Sequence, residues 1–223
     1  ATAAYQCEGA WNEDGKGFAI TDLLTAGTRR NPRKLTTKEE SGVYYPAKIG
    51  IDHYHRYKED IKLFAEMGFK VYRMSVSWAR IFPNGDDEKP NQKGLDFYRD
   101  VFNECHKYGI EPLVHLYKYD MPAFYIEELG GWKNRVLIDE FVEFGKASID
   151  EFQEVTYWST FNEINAAQFS ILDSSNQEEV QRQYQVLHNQ LVASAKVVKY
   201  LHDNYPNKKI GCMQALSLIH ISE

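Results

Sequence analysis

Short β-favouring runs alternate with longer amphipathic segments along the chain, and this alternation constrains the fold more than any other feature. The β-favouring runs occupy residues 69–76, 110–117, 154–161 and 209–213. The amphipathic segments, with apolar side chains at helical spacing, occupy residues 53–67, 95–108, 135–152 and 177–204. Such an alternation predicts consecutive βα units that build a parallel sheet.

Residues 1–6 add a fifth strand candidate at the start of the chain. Parallel strands joined by helices fit either a doubly wound sheet or the first part of a (β/α)8 TIM barrel. No G-x-G-x-x-G motif follows the first strand, which argues against a dinucleotide-binding sheet. The segments after the strands are long, at residues 12–50, 77–94 and 118–134, and barrel enzymes build their sites from such loops. We therefore predict an α/β fold with about the first five strands of a barrel.

Composition excludes several classes of protein and partner. Hydrophobic residues make up 43% of the chain and charged residues 26%, as in an ordinary globular protein. A net charge of -6 argues against a nucleic-acid partner. No apolar run approaches the ~18 residues that a membrane-spanning helix needs, so we expect no membrane partner either.

The spacings of cysteine and histidine argue against disulfides and metal ligands. Cys7, Cys105 and Cys212 lie far apart and form no C-x-x-C pair, which is typical of reduced thiols in the cytoplasm. His53 and His55 are the one close histidine pair, and they lack the i, i+4 spacing of metal ligands on a helix. The sequence predicts a cytoplasmic protein without a metal site.

Polar residues in or after the β-favouring runs are the candidates for chemistry. Alternation places Arg73 inside a strand, on the same face as Val71 and Ser75, where a buried arginine requires a carboxylate partner. Asn162 and Glu163 end another strand, and barrel catalysis takes place at the carboxyl ends of strands. From the residues alone, a structural ion pair at Arg73 and a surface charge at Glu163 remain open.

Four segments resemble the motifs of glycoside hydrolase family 1, in the family's order and at its spacings. They are ATAAYQCEGAWNEDGKG at residues 1–17, RMSVSWARIFPNG at 73–85, EPLV and YDMP within 111–122, and TFNEIN at 160–165. The resemblance extends from residue 1 to about residue 215 and implies a retaining hydrolase on a (β/α)8 barrel. Ile164 and Asn165, with segments 184–190 and 211–213, are similar to the 6-phospho-β-glucosidase branch.

The resemblance also implies roles for individual residues. Glu163 matches the acid/base, Asn162 matches the amide that binds the sugar 2-hydroxyl, and Gln6 matches a contact to the outer hydroxyls of the same sugar. Arg73 matches the arginine that pairs with and orients the nucleophile. Lys118 stands where the family usually has histidine, and it could still donate to a sugar hydroxyl as a flexible cation.

His115 and the basic segment at residues 29–34 are two further features that could be read as functional. His115 stands where the family more often has threonine, and we predict a buried histidine satisfied by the neighbouring strand. The basic segment RRNPRK at residues 29–34 could contact phosphate, but a charge run more often forms a solvated loop, which is our prediction.

The family's nucleophile comes from a Glu-Asn-Gly step, and none occurs in this sequence. We therefore expect the nucleophile to lie outside the chain, residues 1–215 to be part of the catalytic barrel, and the chain alone to be inactive. Residues 216–223, LSLIHISE, look like a translated sequencing adapter and are predicted to be a non-native tail.

The predicted activity is hydrolysis of small-molecule 6-phospho-β-glucosides by a cytoplasmic enzyme that needs no cofactor. Two alternatives stay open at this point. One is a β-glucosidase or β-galactosidase for unphosphorylated substrates, and the other is a non-catalytic sugar-binding relative, for which Lys118 is the one hint. The sequence gives no indication of oligomeric state.

Overall fold

The computed structural model describes residues 1–166 and 176–215. The strands in this part of the chain are β1 (Val71–Ser75), β2 (Glu111–Tyr117), β3 (Tyr157–Phe161) and β4 (Lys209–Gly211). They form one sheet in that order, and all neighbouring strands are parallel. Sequential order with parallel pairing is how βα units build the wall of a barrel, so the predicted parallel sheet is confirmed.

Helices fill the intervals between the strands. They are α1 (Ala4–Cys7), α2 (His53–Glu66), α3 (Trp78–Ile81), α4 (Gln92–Lys107), α5 (Ala123–Glu127), α6 (Val136–Glu151) and α7 (Gln177–Asn204). Short 3-10 turns lie at Ile20–Leu23, Pro46–Lys48 and Gly131–Lys133. The helix α7 has the predicted bounds, because the Asn176 side chain caps it by accepting from the backbone amides of Glu178 and Glu179.

The predicted strand at residues 1–6 is wrong. Thr2 does lie beside β1, where its backbone amide donates to the Arg73 carbonyl at 3.0 Å. The next available amide, that of Ala4, donates instead to the Ser75 Oγ at 2.8 Å. A side-chain acceptor thus replaces a ladder bond, and the chain turns into α1. The described residues therefore contain four strands and not the five that we predicted.

The core lies between the sheet and the helices that cover its outer face. Trp78, which follows β1, is fully buried and stacks on Phe144 of α6 with ring centroids 5.0 Å apart. Phe141 packs on Phe161 of β3 at 4.6 Å. Gly145 lets α7 approach closely, since a Cβ there would lie 3.0 Å from Val197 Cγ2. Aromatic packing of this kind fixes where the carboxyl ends of the strands point.

The two remaining expectations about the chain concern its end and the membrane. The predicted tail at residues 216–223 lies outside the described residues. Among the helices of residues 1–166 and 176–215, none combines the length and the apolar character that crossing a bilayer requires.

Candidate active site

Polar side chains from within β1 and β2 meet the first residue after β3 on one face of the sheet. Arg73 reaches from β1 across the sheet, where its Nε donates to His115 Nε2 at 2.6 Å. Its Nη2 donates to Asn162 Oδ1 at 2.7 Å and also contacts the sulfur of Met213. None of these partners in the described part of the chain is a carboxylate. The cluster thus gathers His115 and Asn162 around the Arg73 guanidinium.

His115 acts as a neutral acceptor in this cluster. Its side chain is buried, and this burial, followed by the charges of Arg73 and Lys118, lowers its pKa to about 3. Nε2 accepts from Arg73 on the neighbouring strand, so the prediction of a buried histidine satisfied by that strand is confirmed for this one ring nitrogen. Nδ1 must then carry the ring proton, and it has no hydrogen-bond partner among the described residues.

A tyrosine joins Asn162 to Glu163. Asn162 Nδ2 donates to Tyr119 Oη at 3.2 Å, and the Tyr119 hydroxyl donates to Glu163 Oε2 at 2.9 Å. Tyr119 and Glu163 both have left-handed backbone, with φ of 71° and 51°. Such a conformation costs on the order of 1–3 kcal/mol in a residue other than glycine and recurs at functional sites. Partial burial and the hydrogen bond to Glu163 raise the pKa of Tyr119.

Sequence reasoning missed Tyr119. The residue belongs to the YDMP segment that carried the family resemblance, but no role was assigned to it. A tyrosine after a strand gives no signal of its own. Its role follows from a backbone turn that brings its hydroxyl between two groups from another strand, more than 40 positions away.

Lys118 lies at the edge of the same cluster. Its Nζ donates to the Thr2 carbonyl at 3.2 Å. Burial lowers the pKa of Lys118, and the charge of Arg73 lowers it further, whereas the negative charge of Glu163 acts in the opposite direction. The ammonium group therefore lies within electrostatic reach of both ends of the hydrogen-bonded cluster.

Gln6 lies apart from the other predicted residues. Its exposed side chain donates to Tyr5 Oη at 3.1 Å, and no hydrogen bond within residues 1–166 and 176–215 joins it to Asn162 or Glu163. Gln6 lines a cavity of about 290 Å³ together with Arg33 of the basic segment. The other arginines of that segment, Arg29 and Arg30, are exposed, in line with a solvated loop.

Two cavities flank the Arg73 cluster. The first, of about 280 Å³, is lined by Tyr117, Tyr119, Phe161, Asn162, Glu163, Ile164, Ala166, Val186 and Gln190. The second, of about 290 Å³, is lined by Arg73, Leu113, His115, Trp158, Ser159, Gly211, Cys212 and Met213. Glu163 is the one acidic side chain in either lining. Among the described residues no group of three or more His, Cys, Asp or Glu is arranged to hold a metal ion.

Curated relatives resemble this chain over almost its whole length. It is 49% identical over 220 residues to a 6-phospho-β-glucosidase from Clostridium longisporum, which covers 96% of this chain and 46% of the relative. It is 44% identical over 225 residues to the aryl-phospho-β-D-glucosidase BglA of Bacillus subtilis, which covers 96% of this chain and 47% of the relative. The chain thus spans about half the length of the curated relatives it matches.

Solved structures give the same result for the fold. A β-glucosidase from rice has a TM-score of 0.79 and 30% identity, over 95% of this chain and 46% of the rice chain. A family 1 β-glucosidase from Thermotoga maritima has a TM-score of 0.78 and 32% identity, over 94% and 46%. These neighbours are TIM barrels, and the four-stranded sheet is part of such a barrel. The model of glycosyl hydrolase family 1 matches residues 1–220, and the chain belongs to this family.

Proposed function

We propose that the chain provides the acid/base half of a retaining glycosidase site that acts on 6-phospho-β-glucosides. One observation carries the proposal. The Glu163 carboxyl lies at a cavity of ligand size, and the Tyr119 hydroxyl, itself bound by the amide of Asn162, holds one of its oxygens. A retaining site needs such a fixed carboxyl group opposite a second carboxylate, about 5 Å away.

Glu163 is the proposed general acid and then the general base. Its Oε2 accepts from Tyr119, so the transferable proton is carried by Oε1. In the first step this proton passes to the glycosidic oxygen while that oxygen leaves the anomeric carbon. In the second step the Glu163 carboxylate removes a proton from the water that attacks the same carbon. A nucleophile from outside residues 1–215 bonds to this carbon as the glycosidic oxygen leaves, and it is released from the carbon when the water attacks.

Asn162 is the proposed contact to the sugar 2-hydroxyl. Arg73 has donors only, so its bond fixes the carbonyl oxygen of the Asn162 amide and thereby the direction of the Nδ2 group. Nδ2 uses one hydrogen on Tyr119. The second hydrogen remains for the substrate, and a hydrogen bond to the 2-hydroxyl strengthens in the transition state.

Arg73 is the proposed partner of the nucleophile. Its hydrogen bonds to His115 and Asn162 use Nε and Nη2. Nη1 is left for a carboxylate, and a guanidinium presents its donors in a fixed plane that suits one. His115 supports this role because it stays neutral and accepts from Arg73 without neutralising its charge.

Lys118 and Gln6 are the proposed additional contacts to the sugar. Lys118 Nζ uses one hydrogen on the Thr2 carbonyl and keeps two for hydroxyl groups. Gln6 binds only its neighbour Tyr5, so its amide can turn towards a ligand in the cavity that it lines. Both contacts would bind parts of the sugar that lie away from its anomeric carbon.

The curated relatives support a phosphorylated substrate, and the solved structures support an unphosphorylated β-glucoside. The 44–49% identical relatives reported above are named for phospho-β-glucosides, whereas the 30–32% identical structures are named as β-glucosidases. The higher identity favours the phosphorylated substrate. Such substrates are charged metabolites, and the free thiols of Cys7, Cys105 and Cys212 fit a reducing compartment, so we propose a cytoplasmic location.

The test compares two substrates in the full-length parent protein. The values of kcat/KM are measured for an aryl 6-phospho-β-glucoside and for the matched unphosphorylated aryl β-glucoside. We expect a clear preference for the phosphorylated compound. Equal or better turnover of the plain glucoside would favour the β-glucosidase alternative, and binding of either sugar without turnover would favour a non-catalytic relative.

A further inference from the structure

A buried polar pocket lies beneath the turn that carries Lys118 and Tyr119. Asp120 is buried, and neither of its carboxyl oxygens has a hydrogen-bond partner among the described residues. The hydroxyls of Ser77 and Thr21 line the same pocket, and they too lack a partner there. The pocket has a volume of about 10 Å³, which is the space that one water occupies.

The charged groups around Asp120 have other partners, and Lys118 donates to the Thr2 carbonyl at 3.2 Å. Arg80 donates to Glu8 at 3.1 Å, and Lys16 pairs with Asp22 at 2.8 Å. Burial and the negative charge of Glu8 raise the pKa of Asp120 well above its ordinary value, and the nearby Ser77 hydroxyl and Lys16 counter this only in part. The titratable groups that face Asp120 are Tyr5 and Cys7 from α1, Glu8, Lys16 and Asp22 from the residues after it, and Tyr117 and Lys118 from its own segment.

The turn above the pocket has few other attachments. On one side, the Asn162 amide donates to the Tyr117 carbonyl at 3.0 Å, and on the other, the Ile20 amide donates to the Met121 carbonyl at 3.1 Å. Between these points, the backbone of residues 118–120 forms no hydrogen bond to another described residue. The Lys118 and Tyr119 side chains bond towards the candidate site, whereas the side chain of Asp120 is the one from this turn that reaches the buried pocket below.

We infer that Asp120 is a positioning residue, which holds the turn with Lys118 and Tyr119 in place through one buried water shared with Ser77 and Thr21. The uncharged carboxyl group donates to the water, and the two hydroxyls supply its remaining partners, so all of the otherwise unpartnered groups are satisfied. Tyr5 lines the same pocket and binds Gln6. The pocket thus supports both separated parts of the candidate site.

The first experiment does not depend on catalysis. Amide hydrogen exchange is measured at Asn162 and Ile20, whose amides donate to the carbonyls on either side of the turn, in the full-length parent protein and in the variants Asp120→Asn and Asp120→Ala. We expect exchange to be about 10-fold or more faster in Asp120→Ala and close to the parent in Asp120→Asn, which can still bind a water. Ser148→Ala is the control, because Ser148 is buried on α6 and bonds only the Phe144 carbonyl. Unchanged exchange at Asn162 and Ile20 in Asp120→Ala would overturn the inference.

The second experiment tests the uncharged carboxyl. Because the pKa of Asp120 is raised in the folded protein, its contribution to stability is present below the unfolded pKa of about 3.9 and is lost as the pH rises towards the folded pKa. The folding constant of the parent should therefore fall relative to that of Asp120→Asn, by up to about 10-fold per pH unit above pH 4. Parallel pH profiles of parent and variant would show a charged Asp120 and would contradict the inference.

The third experiment rests on the proposed function and links the turn to the reaction. In Asp120→Ala, kcat for the aryl 6-phospho-β-glucoside should fall by about 10-fold or more with a smaller change in KM, and Asp120→Asn should restore most of it. Ser148→Ala should keep the kcat of the parent. Failure of the proposed function would show as an inactive parent with the exchange and pH results intact. An unchanged kcat in Asp120→Ala, with an active parent, would make the residue merely structural.

Discussion

Replacement of Glu163 by glutamine isolates proton donation from every other contact of this residue. In Glu163→Gln the amide oxygen can still accept from the Tyr119 hydroxyl, as Glu163 Oε2 does at 2.9 Å. The amide nitrogen then takes the place of Oε1 at the cavity, with hydrogens that it cannot transfer. The shape of the site and the link from Tyr119 to Asn162 are kept. The acid of the first step and the base of the second are both lost, and kcat/KM reports the loss of the acid because it covers the reaction only up to the first irreversible step.

The size of the effect depends on how much the leaving oxygen needs a proton. General acid catalysis contributes about 10²–10⁴-fold, which is roughly 2.7–5.5 kcal/mol in activation free energy. A poor leaving group, such as an alkyl alcohol, should lose this full factor in Glu163→Gln. A dinitrophenolate leaves as an anion without a proton, so its cleavage should slow only slightly.

The assay is a series of 6-phospho-β-glucosides with leaving groups of increasing pKa, hydrolysed by the full-length protein and by Glu163→Gln. The logarithm of kcat/KM should depend much more steeply on leaving-group pKa in the variant. Glu143→Gln is a matched control, because Glu143 lies on α6 and pairs with Lys146 at 2.8 Å, at the surface. An equal loss for all leaving groups would refute the assignment of Glu163 as the acid.

Three further predictions concern neighbouring residues and the chain itself. Lys118→His in the full-length protein should raise kcat/KM for an aryl 6-phospho-β-glucoside, because a rigid imidazole loses less side-chain entropy than a lysine when it binds a sugar hydroxyl. Lower activity would show that Lys118 itself is the better contact to the substrate. The lowered pKa of His115 stabilises the fold above pH 6.5, and this stability is lost as the pH falls towards about 3. Denaturant titrations at pH 7 and pH 4 should therefore show a smaller acid-induced loss of unfolding free energy in His115→Asn, by at most ~3.4 kcal/mol for the ~2.5 units between pH 6.5 and pH 4 at ~1.36 kcal/mol per unit. An equal loss would contradict a neutral histidine. The 223-residue chain alone should release no aryl group from such substrates and should lack a sharp thermal transition, and turnover with cooperative melting would contradict both expectations.

Local patterns predicted the helices and the sheet well, because their signal lies in neighbouring residues. The apolar spacing of α7 gave both of its ends, and the runs around β1 and β2 gave parallel strands. The segment at residues 1–6 failed because its fate depends on Ser75, a side chain 71 positions away from Ala4 that replaces a ladder partner. A contact between residues so far apart in the sequence cannot be predicted from a local residue pattern.

The candidate site, like the fold, could be predicted from the sequence only in part. The family motifs pointed to Arg73, Asn162 and Glu163, and the structure brings the first two into direct contact. Gln6 could be named from its motif, but its separate cavity could not be foreseen, because that cavity is formed by residues from distant loops. Tyr119 needed the left-handed backbone of the structure, which no pattern of residue types specifies.

The two faces of the sheet differ in how far their side chains are exposed. On the outer face, Tyr72 and Met74 of β1 are each 3% exposed beneath the helices. On the inner face, Val71 of β1 is 54% exposed and Tyr157 of β3 is 45% exposed. A parallel sheet normally has both faces covered, and in a barrel the inner face is filled by side chains from the other strands. Arg73 belongs to this inner face, so the strands that would cover Val71 and Tyr157 are also those that would bring a carboxylate to its guanidinium. Closure of the barrel would then cover the apolar side chains and supply the proposed carboxylate partner of Arg73 together, because both lie on the inner face of the sheet.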